Sequence, residues 1–116
     1  MFKAIRGATI AKENKKQEII SKTKELLNEI ISENKLKPND IVSAFFTMTE
    51  DLNATFPAAA ARELGWTNAA LLCAREINVP GSLPSCIRVL IHCNLEHITN
   101  PQNIYLYEAK QLRADL

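Results

Sequence analysis

The chain is poor in glycine: Gly7, Gly65 and Gly81 are its only three, too scattered to cradle a nucleotide phosphate. There is no GxGxxG run or P-loop, and no GxSxG elbow that would present a serine nucleophile. Cysteine is limited to Cys73, Cys86 and Cys93. An odd count without CxxC spacing fits a disulfide framework or a zinc site poorly, and small buried thiols in a reducing compartment are the plainer reading. His92 and His97 stand five apart with no paired motif, so no metal is expected. No apolar run approaches the length of a membrane span, and the start lacks the apolar core of a signal peptide. A cytoplasmic protein without a membrane partner is expected. A formal net charge of +1 with no continuous basic stripe gives nucleic acid no footprint.

Lysine is missing over a long stretch. Eight of the nine lysines lie at or before Lys37, and none falls between Pro38 and Ala109. That stretch still carries Arg62, Arg75 and Arg88. Lysine is the usual solvated surface cation, whereas the planar guanidinium fork suits bidentate recognition of carboxylate or phosphate. What is left once the missing motifs are set aside is a set of arginines, a carboxylate and a tyrosine with no evident nucleophile. Such an inventory suits a small polyanion and chemistry by positioning and electrostatics.

At 116 residues the chain is expected to form one domain over residues 1–116. A chain of this size buries only about two-thirds of its unfolded surface, so oligomerisation would help it and could supply concave space. Phe2 to Arg6 reads as a short strand ending at a Gly7 turn. Asn14 followed by Gln17 resembles a capping box, and Ile19, Ile20, Thr23, Leu26, Leu27, Ile30 and Ile31 recur at helical spacing. The pattern predicts an amphipathic helix near Lys15 to Glu33, stopped at Asn34. Ile41 to Met48 reads as a strand and Thr49 to Thr55 as a loop. Phe56-Pro57 introduces a short helix over Ala58 to Leu64 that ends at Gly65. Ala69 to Cys73, Cys86 to Asn94 and Tyr105 to Leu112 are the remaining predicted strands, with Asn78 to Ser85 a connection. The order implies an α/β fold, a mixed sheet with the long helix packed on one face.

Within the strand Cys86 to Asn94, alternation sets Ile87, Val89, Ile91 and Cys93 on one face and Cys86, Arg88, Leu90 and His92 on the other. The first set is wholly apolar and belongs under the helix. Arg88 therefore points away from that core. A guanidinium cannot shed its charge, so it reads equally as a member of a structural ion pair or as a contact to an anionic ligand in a sheltered cleft.

Taken together, several segments resemble a known family across nearly the whole chain. They are Ile5-Arg-Gly-Ala-Thr9, Phe56-Pro57 with Ala60-Ala-Arg-Glu-Leu64 and Gly65-Trp66, Cys73 with Glu76, Cys86-Ile-Arg-Val89, Tyr105-Leu106 and Leu112-Arg-Ala-Asp-Leu116. Their order and spacing are similar to the AroH-type chorismate mutases, the monofunctional α/β class. The resemblance implies a homotrimeric pseudo-α/β barrel of the chorismate mutase-like (YjgF-like) fold, with active sites in clefts between subunits. It implies the pericyclic rearrangement of chorismate to prephenate, with no cofactor. Arg88 would be the cation at the ether oxygen and Glu76 the acceptor of the ring hydroxyl, while Arg6 and Tyr105 would hold substrate carboxylates. Phe56, Ala58, Arg62 and Leu72 match the neighbouring subunit's part of the pocket wall. Cys73, Ala74 and Arg75 would line the site, and Leu112 would lie over it. The alternatives are a YjgF-type imine deaminase and a non-catalytic dicarboxylate-binding protein of the same fold.

Overall fold

The computed structural model describes residues 1–97 and 100–113, with Arg113 described by its backbone alone. Five strands form one mixed sheet: β1 (Phe2–Ile10), β2 (Ile41–Met48), β3 (Ala70–Arg75), β4 (Cys86–Asn94) and β5 (Ile104–Tyr105), in the spatial order β3-β2-β4-β1-β5. β4 runs antiparallel to both β1 and β2, while β2–β3 and β1–β5 are parallel pairs. The helices are α1 (Lys16–Asn34) and the short α2 (Ala58–Glu63). Among the described residues no helix is long and apolar enough to cross a membrane.

Helix α1 forms where the apolar spacing demands it. Ile19, Ile20, Leu26, Leu27 and Ile30 are buried: Leu26, Leu27 and Ile30 pack with Ile5, Phe46, Val89 and Ile91 of the sheet, and Ile19 with Ile87. Each such side chain removed from water contributes about 1.5–3 kcal/mol. Thr23 lies on the same stripe and is accommodated because its hydroxyl donates to the Ile19 carbonyl at 2.7 Å. Ile87, Val89, Ile91 and Cys93 are all buried on the helix side, as the alternation predicts.

Four local expectations are corrected. Strand β1 does not stop at Gly7 but runs on to Ile10. Gly7 serves close packing there: a Cβ at this position would lie 2.7 Å from Ile30 Cδ1 and 3.1 Å from Leu26 Cδ1. The capping box is not made, because the N-cap is Lys15 without a side-chain bond. Asn14 instead accepts the backbone N–H groups of Asn53 and Ala54 at 2.9 and 3.1 Å, stitching the helix start to the loop after β2. Asn34 is the last helical residue and is buried, because its amide exchanges hydrogen bonds with the Gln102 backbone. The predicted strand from Tyr105 to Leu112 is a strand only at Ile104–Tyr105. Tyr107 then takes a left-handed conformation, with φ 55°, and opens a 3-10 helix, Tyr107–Arg113. The turn lets Ala109 bury itself against Ala8 and Cys86, a packing that a continued strand would forfeit.

The helices thus cover one side of the sheet, while on the other the Tyr107–Arg113 segment covers only Ala8 and Cys86. This open side carries Phe45 at 43% exposure and Leu72 at 57%, with half-buried Leu90 and His92 between the neighbouring strands.

Candidate active site

The open side of the sheet brings together residues far apart in sequence. Arg88 stands at the middle of β4, paired across the ladder with Ala8 of β1 on one side and Thr47 of β2 on the other. Arg6 is the next residue of β1 on the same face and pairs with Leu90, which sets it diagonally across from Arg88, within reach for long side chains. Glu76 follows the end of β3, and its N–H donates to the Met48 carbonyl at 2.9 Å, prolonging the β2–β3 ladder by one bond. Tyr105 is brought alongside by the parallel β1–β5 pairing, Ala8 to Tyr105, and by the Leu106 N–H bond to the Ala8 carbonyl at 2.9 Å. Asn103 holds the same segment down by accepting the Arg6 N–H at 2.8 Å.

Arg6, Glu76, Arg88 and Tyr105 line one cavity of about 310 Å³, together with Gly7, Phe45, Thr47, Val89 and Leu90. The four predicted catalytic side chains therefore converge. Two guanidiniums against one carboxylate leave an excess of one positive charge, on walls that are otherwise largely apolar. An anion with a non-polar body fits that balance.

Glu76 Oε2 lies 3.3 Å from Arg88 Nη1 and accepts the Thr47 hydroxyl at 2.8 Å. The Arg88 side chain is 47% exposed, and a pair this open to water contributes at most about 1 kcal/mol to stability. Fold stability is thus a poor explanation for the pair. It fixes the direction of a cation that a ligand can still reach.

Cys86 lies two residues before Arg88 on the same face and is buried. Burial pushes its thiol up to about 11, although the Arg88 charge pulls the other way. Cys86 therefore stays protonated at neutral pH and offers no thiolate for attack. Burial likewise raises the Cys93 thiol.

The other predicted site residues fall elsewhere within a single chain. Phe56, Cys73, Ala74 and Arg75 line a second cavity, of about 400 Å³, formed with Asn53, Pro57 and the rest of the loop after β2. Leu72 is exposed beside Phe45, its partner across the β2–β3 ladder, and Arg62 is exposed on α2. Ala58 is 3% exposed and belongs to the main core, so its methyl group is spent on packing α2. Leu112 is half-buried against the Ala8, Cys86 and Ala109 cluster. Sequence reasoning overlooked Thr47. Alternation along β2 could have placed it on the open face with Phe45, but its link to Glu76 depends on a strand pairing that the sequence does not print.

Comparison with known proteins supplies the family. Residues 2–116 match the family described as chorismate mutase type I. A protein of Bacillus subtilis (strain 168) named chorismate mutase AroH is 42% identical over 118 residues, covering 100% of this chain and 93% of that protein. Its namesake from Thermus thermophilus is 42% identical over 121 residues, covering 100% of this chain and 97% of that one. The solved structure of a chorismate mutase from Clostridium thermocellum superposes with a TM-score of 0.91 at 48% identity, covering 94% of this chain and 98% of that chain.

Proposed function

We propose that this chain, which belongs to the chorismate mutase type I family, converts chorismate to prephenate in the cavity shared by Arg6, Glu76, Arg88 and Tyr105. The activity is that of an isomerase, at an early branch step toward phenylalanine and tyrosine. The observation that carries the site assignment is the convergence of two arginines, one carboxylate and one tyrosine in a single cavity on the open sheet face.

Chorismate has two carboxylates and a ring hydroxyl. Its ether C–O bond breaks as a C–C bond forms within the same molecule, so atoms and electrons balance with no cofactor or covalent intermediate. Negative charge grows on the ether oxygen along the way. Arg88 is the cation for that oxygen, and a charge that meets more negative density at the transition state than in the ground state accelerates the step. Glu76 accepts the ring hydroxyl. Arg6 and Tyr105 hold the carboxylates, so that the compact conformer with its reacting carbons close together is selected.

The active unit is a homotrimer in which the open faces form the inside of a barrel. Support comes from the exposed Phe45 and Leu72 on that face and from Phe2, whose ring stacks on His92 at 5.6 Å. Such apolar surface on a small chain is better covered than left in water. The cavity lined by Phe56, Cys73, Ala74 and Arg75 is the wall that a neighbouring copy offers, with Arg62 and Leu72 beside it and Ala58 contributing through its backbone, while Leu112, packed on Ala8 and Cys86, lies over the site from the copy that carries Arg88. The chain acts as one domain over residues 1–116, in the cytoplasm.

Loss of chorismate's ultraviolet absorbance on adding pure protein tests the activity, and sedimentation of the same sample tests the assembly. Turnover by a species of three times the chain mass is expected. A folded protein of that size without turnover would sink the reading, and turnover by single chains would remove the intersubunit site.

A further inference from the structure

Glu76 is held from three directions. Its backbone N–H is tied to the Met48 carbonyl at 2.9 Å. Its carboxylate forms an ion pair with Arg88 Nη1 at 3.3 Å and accepts the Thr47 hydroxyl at 2.8 Å, and both contacts are to the same oxygen, Oε2. Among the described residues no hydrogen bond reaches Oε1. The carboxylate is therefore divided into an anchored oxygen and a free one.

Thr47 is built into this arrangement by the sheet. It faces Arg88 directly across the β2–β4 ladder and Ala74 across the β2–β3 ladder, so its hydroxyl sits on the open face between the arginine and the end of β3. Directly opposed residues in an antiparallel pair have Cβ atoms about 4.5–5.5 Å apart. A carboxylate and a guanidinium left to themselves at this range favour a bidentate fork, with both oxygens engaged by parallel N–H groups. In the structure no such hydrogen-bonded fork is made: the approach is Nη1 to Oε2 at 3.3 Å, and the donor that occupies that same oxygen is Thr47.

We infer that Thr47 is a positioning residue: by anchoring Glu76 Oε2 it keeps the Arg88–Glu76 pair from closing into a fork, and so leaves Oε1 and part of the Arg88 guanidinium open to the ligand. The inference rests on the chorismate mutase reading and adds to it a residue that touches the pair. Without the hydroxyl the two side chains neutralise each other in the free enzyme. Substrate must then reopen them, and apparent affinity falls by the fraction of protein still open. The penalty is met on binding. Once substrate is bound the Arg88 charge is released, so the chemical step keeps its rate.

Thr47→Val preserves shape and strand preference while deleting the donor, and Thr47→Ser keeps it. The valine variant is expected to raise KM about tenfold, which is the tax for a site about one-tenth open, with kcat within about twofold of wild type. The serine variant should restore KM, and thermal unfolding should not separate the two. An unchanged KM in Thr47→Val would overturn the inference. A lowered kcat at constant KM would also overturn it, because Thr47 would then be acting on the transition state. A crystal structure of unliganded Thr47→Val supplies a readout independent of turnover. Both Glu76 oxygens should lie on the Arg88 guanidinium, and a contact still made through one oxygen would refute the positioning role whether or not chorismate is consumed.

Discussion

The two faces of the sheet are made by the same strands and differ in everything else. On the helix side of β4, Ile87, Val89, Ile91 and Cys93 are all buried, and the surrounding Leu26, Leu27, Ile30 and Phe46 complete a core within one chain. On the open side, Arg88, Leu90 and His92 alternate with those residues one position apart, and their neighbours across the ladders are Thr47, Phe45 and Ser43. One face is finished within the monomer. The other holds charges, apolar side chains and a cavity side by side. A period of two residues thus separates stability from chemistry, and substitutions on adjacent residues should report on different properties.

The sharpest contrast is between assembly and folding. Leu72→Glu places a charge on the exposed apolar part of the open face. Burying it in an interface without a partner would cost several kcal/mol per site, so sedimentation should shift from three chains to one while the far-ultraviolet circular dichroism stays native. Retention of the larger species would mean that this face is not the interface. On the covered face the sign reverses. Ile91→Ala should lower unfolding stability by about 2–5 kcal/mol through lost burial and a residual cavity. A change under 1 kcal/mol in a urea titration would contradict the core assignment.

A smaller effect comes from the same buried face. Thr9 is fully buried, and among the described residues its hydroxyl has no partner. Thr9→Val removes a polar group that gives up water without compensation and should stabilise the fold by about 1 kcal/mol. Destabilisation by that much would show that the hydroxyl is satisfied.

The smallest effect concerns the entry to β4. Asp51 accepts the Ser85 N–H at 2.9 Å and its hydroxyl at 3.3 Å, holding Ser85 at φ 53° just before Cys86. Partial burial alone would raise the Asp51 carboxyl. The donors from Thr49 and Ser85 outweigh it and hold the group below its ordinary 3.8. A folded value depressed in this way contributes stability that is complete above the unfolded value and lost as pH falls through the folded one. Asp51→Asn should therefore flatten the acid side of the stability profile below about pH 4. An acid limb identical to wild type would remove Asp51 from that role.

The parts that could be read in advance are those with an internal period. β4 and α1 announce themselves by spacings of two and of about 3.6 residues, and the placement of Arg88 opposite the helix follows from the first. The parts that could not be read depend on partners distant in sequence. Asn34 looked like a stop signal but is locked to Gln102, 68 residues away. Gly7 looked like a turn, yet the missing Cβ serves the approach of Ile30. The Tyr105–Leu112 segment has strand-like residues but bends at Tyr107, because β5 pairs with β1 for only two residues. Among the site residues, Arg88 stands out by its place in the strand, Arg6, Glu76 and Tyr105 come through the family resemblance, and their gathering in one cavity is a property of the strand order. Thr47 escaped because a threonine in a strand is ordinary until its neighbour across the sheet is known.

The central claim is that the Arg88 charge on the open face accelerates the rearrangement. It is tested most directly by replacing Arg88 with citrulline, which keeps the shape of the guanidinium and removes its charge, and by measuring kcat and KM for chorismate separately. Loss of a fixed donor to a developing oxyanion typically costs about 10²–10³ in kcat. A fall of that order, with a much smaller change in KM, is the predicted result. An unchanged kcat would contradict the account.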